Sequence, residues 1–274
     1  MSFKAILVQG HIPSSVDPQG NLTPEQKLEM FDLSLEHLRY HNPDTFIALT
    51  GHGDLRPKNV TLTDWFHWDK AWPINAAGLV IGEPAQRRWL GIGMQHLKKR
   101  GFDCALKTRL DCLIGRQNIV QWCQNILAEE DKSFLITQMT GHPGFLGDCF
   151  FYGGTEALEY TWHPDHQVVH TDGLVQTAHF FRAYHQNTQD WKSFLKSVCS
   201  FRDVWEIPFM DLRWNWHKLN NERPNWKNEI FMPGNQIYKQ YSWGKINGWH
   251  IFNDQGKMIT NSRPEMWSKE TFYA

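Results

Sequence analysis

FDCALKTRLD, residues 102–111, is the stretch that decides the fold. It follows a helical run closed by Gly101, and it reads as a buried strand that carries three charges toward its end. Side chains alternate along a strand, so Lys107, Arg109 and Asp111 share one face while Leu106, Thr108 and Leu110 take the other. Burying three charges is costly unless they are paired or used. A salt-bridged strand end meets that condition. So does an anion site, in which Lys and Arg neutralise phosphate oxygens and Asp holds a divalent metal or a ribose hydroxyl.

Working outward, residues 3–10 (FKAILVQG), 46–50 (FIALT), 133–139 (SFLITQM) and 148–152 (DCFFY) read as further strands. Thr23-Pro24-Glu25-Gln26 is a helix start with a capping box, followed by Leu28, Phe31, Leu35 and Leu38 at helical spacing. Helices are also predicted over 84–100 and 115–129, while 55–84 reads as irregular and aromatic. The order β-α-β-α-β-α-β-β implies an α/β fold, a mostly parallel sheet with flanking helices. Helices are predicted over 155–162, 172–184 and 189–198, with an irregular, Trp- and Asn-rich tail over 200–274. The expectation is one domain over residues 1–274, with a ligand-binding α/β part (1–154) and a helical, loop-rich part (155–274).

Composition narrows the function. The chain has 274 residues, with 28 Lys+Arg against 29 Asp+Glu, hence a net charge of −1. That balance argues against a nucleic-acid partner. No stretch approaches the roughly 18 apolar residues of a transmembrane segment. The 5 cysteines form no C-x-x-C pair, so reduced thiols and a cytoplasmic setting are expected. The 14 Trp divide into two groups. Trp89 and Trp122 lie on apolar helical stripes and should be core. Trp65, Trp68, Trp72, Trp205, Trp214, Trp216, Trp226, Trp243 and Trp249 fall outside the α/β pattern and are expected to line a cleft facing Asp111 and Asp148.

FDCALKTRLDCLI, followed by GDCFFYGGTEAL, resembles the WavE-type glycosyltransferases of lipopolysaccharide synthesis. There a strand ends in K-x-R-x-D and a later segment reads roughly D-x-F-x-F-G. PAQRRWLGIGMQHLKKRGFD is similar to the helix that precedes that strand. The resemblance runs in order through residues 3–160. It implies a GT-A-like fold in one continuous domain, a nucleotide-diphosphate sugar as donor, and a glycan or lipid-linked glycan as acceptor. Many GT-A enzymes hold Mn²⁺ or Mg²⁺ with D-x-D, whereas this chain has Arg109-Leu110-Asp111 at the equivalent place. Asp111 is then the lone candidate metal ligand, and Lys107 with Arg109 could replace the metal's charge.

Ligands of parallel α/β sheets bind outside the carboxyl ends of the strands. At the first of these ends, Gly10 would let a ligand approach the backbone and His11 could contact a nucleobase or ribose. Arg87 and Arg88, beside Gln86 at a helix start, suit a diphosphate or a base edge. For an inverting transfer, Asp148 is the candidate general base and Glu156 its rival. Each has a plainer alternative: a loop histidine, a solvated first turn, an Asp closing a turn, a favourable charge at a helix N-terminus. Two other functions stand beside glycosyl transfer: a non-catalytic carbohydrate-binding protein, from the Trp excess, and a metal-dependent hydrolase built on His52 and Asp54. The sequence His163-Pro164-Asp165-His166 is not H-E-x-x-H, and no P-loop, G-x-G-x-x-G or G-x-S-x-G motif is present.

Overall fold

β1 (Ala5–Ile12) is buried along its whole length except at Gln9 and His11, which are half-buried. A strand with both faces covered needs such an apolar run, and it forms the centre of the sheet. The computed structural model describes residues 4–12, 21–70, 82–129, 134–136, 149–163, 198–200, 209–232, 249–252 and 258–261. After β1 come α1 (Pro24–His41), β2 (Phe46–Gly53), β3 (Trp65–Asp69), α2 (Gly82–Lys99), β4 (Cys104–Arg109), β5 (Cys112–Ile114) and α3 (Ile119–Glu129). The chain continues through β6 (Phe134–Ile136), β7 (Phe150–Gly154), α4 (Thr155–Thr161), β8 (Val198–Ser200) and β9 (Phe209–Asp211). Helices α5 (Leu212–Glu222) and α6 (Trp226–Glu229) and a separate hairpin, β10 (Trp249–Phe252) with β11 (Met258–Asn261), complete the described elements.

The main sheet has the order β3-β2-β1-β4-β7-β6-β8. The pairs β3/β2, β2/β1, β1/β4 and β6/β8 are parallel, and β7 runs antiparallel to both β4 and β6. All strands but β7 therefore share one direction, which is the mostly parallel α/β architecture read from the sequence. Their carboxyl ends collect along one edge.

Local chemistry sets the helix positions. The Thr23 hydroxyl accepts from the Gln26 amide, and the Gln26 side chain accepts from the Thr23 amide, so the capping box is complete. At the other end of α1, Asn42 donates to the Leu38 carbonyl and accepts from the Ile119 amide, tying α1 to the start of α3. α2 covers one sheet face closely at Gly93, where a Cβ would come within 2.4 Å of Leu7. The other face builds the main core, in which Ile6, Val8, Phe31, Leu106, Leu113 and Cys123 pack with Trp216 and Trp226.

Three expectations change. The aromatic segment predicted to be irregular contains β3, an edge strand parallel to β2, and Trp65 stacks on His96 of α2 with centroids 4.0 Å apart. The 102–111 strand stops at Arg109. Leu110 turns inward, its amide donating to the Gln9 carbonyl, and the chain resumes as β5. The tail is not irregular throughout: β8 joins the main sheet, β9 pairs with β5, and α5 and α6 enter the core. Trp216 and Trp226 are accordingly buried against each other, edge to face at 5.6 Å, and not in a cleft wall. The predicted helix over 172–184, and Trp72, Trp205 and Trp243, lie outside the described residues. Cys104, Cys112, Cys123 and Cys149 are free thiols, and among the described residues no helix is long and apolar enough to cross a membrane.

Gly53 closes β2 with φ +129°, and a Cβ there would lie 2.1 Å from the Ile12 carbonyl oxygen. Backbone cannot give way as a side-chain tip can. Gly53→Ala should cost roughly 1–3 kcal/mol. Gly101→Ala, also at positive φ but with open space around it, should cost about 1 kcal/mol. Denaturant melts of the two variants check this order.

Candidate active site

Lys107 and Arg109 pair in register with Leu7 and Gln9, which places both on the α2 face of the sheet. Lys107 is fully buried, and its ammonium lies 5.5 Å from the centroid of the Trp162 ring. Arg109 reaches forward to Asp111: Nε donates to Oδ1 at 2.8 Å and Nη2 donates to Oδ2. This is the forked geometry that a guanidinium makes best with a carboxylate.

The C-terminal third completes the site. The Asp111 carbonyl accepts from the Leu212 amide at 2.8 Å, and Cys112 lies opposite Asp211 in the β5/β9 pair. Asp211 caps α5, accepting from the Arg213 amide at 3.0 Å. The Arg213 guanidinium then lies 3.5 Å from Asp211 Oδ2 through Nη2, and 3.8 Å from Asp111 Oδ2 through Nε. Two carboxylates and two guanidiniums thus close on each other at the carboxyl end of β4. The sequence already holds the signal: Arg109-Leu110-Asp111 is mirrored by Asp211-Leu212-Arg213. The expectation of an irregular tail passes over Asp211 and Arg213, although Leu212, Trp216 and Leu219 recur at helical spacing behind an Asp N-cap.

Burial and the two guanidiniums act in opposite directions on the carboxylates. Burial would raise the Asp111 pKa, but the Arg109 and Arg213 charges outweigh it and hold that carboxyl far below its usual range. Asp211 is pushed up to about 6, first by burial and then by the Asp111 charge. Burial and contact with Cys149 push the Cys112 thiol up, so that cysteine stays protonated beside Asp111. Cys149 belongs to the same corner, its carbonyl accepting from the Thr108 hydroxyl at 3.0 Å.

The other predicted residues are placed as follows. His11 stacks on His52 at 4.3 Å, and His52 stacks on Trp89 at 4.0 Å, a ladder of rings across the ends of β1 and β2. Burial, with help from His11 and Lys27, pulls His52 down to about 3, so it is neutral. Beside Gly10 the space is filled by Leu110 and Phe31, which a Cβ would strike at 2.4 Å and 3.2 Å. Arg87 is buried and donates to the Thr161 carbonyl, which joins α2 to the end of α4. Arg88 is half exposed, 3.9 Å from Asp69. Glu156 is exposed near Lys98, in the first turn of α4. Because β7 runs antiparallel, that turn sits at the amino end of β4, where Gly154 pairs with Cys104. At about 3.3 Å per residue, Glu156 is roughly 20 Å along the strand from the Asp111 cluster. Asp148 and the Gln86 side chain lie outside the described residues.

A divalent cation does not fit the described carboxylates as they stand. Both Asp111 oxygens are engaged by Arg109, and among the described residues no group of three or more His, Cys, Asp or Glu could hold a metal. His52, the hydrolase candidate, is enclosed in the ring ladder.

No protein-family model and no curated protein sequence matches this chain. Among solved structures it is similar to a protein from Desulfovibrio desulfuricans provisionally assigned as a nucleotide-diphospho-sugar transferase, with 10% identity, 88% of this chain and 92% of that chain covered, and a TM-score of 0.48.

The two carboxylates should leave opposite marks on stability. Asp111, with its pKa lowered, contributes stability above the usual value of 3.8 that is lost as pH falls. Asp211, raised to about 6, contributes stability that is full below 3.8 and lost as pH rises through 6. Asp211→Asn keeps the cap acceptor and removes the buried charge. It should raise the melting temperature at pH 7 and flatten the decline between pH 4 and pH 6. An unchanged pH profile would contradict the assigned shift.

Proposed function

We propose that this chain is a glycosyltransferase that moves a sugar from a nucleotide-diphosphate sugar to a glycan acceptor. The carrying observation is the convergence of Arg109 and Arg213, 104 positions apart in sequence, at the carboxyl end of β4. In the resting site Arg109 forks onto Asp111 and Arg213 spans Asp111 and Asp211. A diphosphate drawing these guanidiniums from the carboxylates would meet two planar donors suited to adjacent phosphates, and an open α/β sheet binds its ligands at that edge. The buried Lys107 adds positive charge beneath them. The resemblance to WavE-type enzymes supports a lipid-linked or polysaccharide acceptor and names the same Lys107, Arg109 and Asp111, and the free-thiol cysteines support a cytoplasmic setting.

In this proposal the diphosphate lies against Arg109 and Arg213, and His11, at the end of β1, meets the base or ribose. Asp148 takes the proton of the acceptor hydroxyl as that oxygen attacks the anomeric carbon. The anomeric C–O bond to the diphosphate breaks, its electron pair leaves with the diphosphate, and the guanidiniums stabilise the charge. Configuration is inverted. Asp148 is favoured over Glu156 because its chain neighbour Cys149 sits beside Thr108, near the Asp111 end of β4, whereas Glu156 is at the other end. Lys107, Arg109 and Arg213 can supply the positive charge that Mn²⁺ or Mg²⁺ supplies elsewhere, and metal dependence is read by the paired EDTA and Mn²⁺ measurements below.

Melting curves with UDP, GDP and their sugars, in EDTA and again with Mn²⁺, test this directly. A ligand at 100 times its Kd stabilises by about 2.7 kcal/mol, a readily seen shift. The expectation is a shift by one nucleotide class in EDTA, largely lost in Arg213→Gln. No shift with any nucleotide would overturn the proposal. Asp148→Ala should keep the nucleotide shift and lose transfer by two or more orders of magnitude, on the order of a general base's contribution.

A further inference from the structure

We infer that Trp214 is the platform on which the acceptor sugar stacks, so that the site takes a neutral pyranoside beside the Asp111 cluster. This rests on the glycosyltransferase reading above and names its acceptor class. Trp214 is in the first turn of α5, one residue from Arg213. It is 53% exposed, while its neighbours Trp216 and Trp226 are buried. The buried side of α5 is supplied by Trp216, Leu212 and Leu219, and Trp214 lies outside that set.

Its position is specific. The Arg213 guanidinium carbon lies 5.2 Å from the centroid of the Trp214 ring, and Arg213 Nε lies 3.8 Å from Asp111 Oδ2. Indole, guanidinium and carboxylate follow one another, so the exposed ring stands one guanidinium away from the proposed diphosphate site. A pyranose offers a flat patch of C–H groups on one face and hydroxyls round its rim. An indole offers a broad apolar face and one N–H donor at its edge, which matches that pattern. The cation–π contact with Arg213 fixes the ring's orientation before any sugar arrives. A donor held by Arg213 and an acceptor held by Trp214 would be neighbours, as transfer requires.

The test uses the full chain with UDP or GDP present and methyl β-glucoside, methyl β-galactoside, cellobiose and lactose as probes. Saturation-transfer NMR should show magnetisation reaching the sugar C–H protons in the wild type. Trp214→Ala should weaken this binding by about tenfold. Trp214→Phe, which keeps an aromatic face, should retain most of it. The nucleotide-induced melting shift should be unchanged in both. Glycoside binding that survives Trp214→Ala overturns the inference, as does a wild type that binds none of the four probes. Loss of the nucleotide shift with glycoside binding intact overturns it too, since the indole then serves only to cover Arg213. A wild type that binds glycosides but shows no nucleotide shift sinks the transferase reading itself and leaves a carbohydrate-binding protein.

Discussion

The Asp111 carboxylate, held between Arg109 and Arg213, is the constraint on which the rest depends. A carboxylate buried this deeply is costly unless cations compensate it. One cation comes from its own strand and the other from α5, so the N-terminal sheet and the C-terminal helices complete a single charge cluster. The backbone reinforces this, through the Asp111 carbonyl on the Leu212 amide and the β5/β9 pair. Asp211 bears the cost. It is brought against Asp111 by the same pairing, and its carboxyl is forced toward the protonated form.

The sheet was legible because its strands and helices carry strong local signals. The capping box at Thr23, the apolar run of β1 and the Gly101 stop each depend on neighbours in sequence. What failed depended on partners far away. β3 has no alternating pattern, because WFHWD is half-buried at every position on a sheet edge. Its strand character comes from β2 beside it. Trp216 and Trp226 were read as cleft residues because their segment lacked the α/β rhythm, yet together they make an edge-to-face pair in the core. Residue type alone does not distinguish an indole buried in a core from one open to solvent.

The candidate site divides the same way. Lys107, Arg109 and Asp111 could be grouped because strand alternation is a local rule. Arg213 could not, since only the fold brings its turn to the end of β4. Glu156 shows the converse case. Its helix follows a strand and a glycine pair, which looks the same in sequence whether that strand runs up or down. The reversal of β7 places it at the opposite edge of the sheet. Strand direction is set by pairing partners, and no feature of DCFFYGG encodes it.

The two guanidiniums and two carboxylates of the resting cluster balance only when Asp211 is ionised, and Lys27 adds further positive charge that Asp111 feels. Burial and the Asp111 charge push the Asp211 carboxyl up to about 6. An anion arriving at Arg109 and Arg213 draws the same cations that hold Asp111 ionised. It also adds negative charge beside Asp211, and so favours protonation there. On the proposed reading, diphosphate binding is therefore linked to proton uptake, and departure of the diphosphate returns that proton. On the same reading, a carboxylate pair that is costly for stability lets the charge of the site adjust to a diphosphate, beside the fixed charge of Lys107.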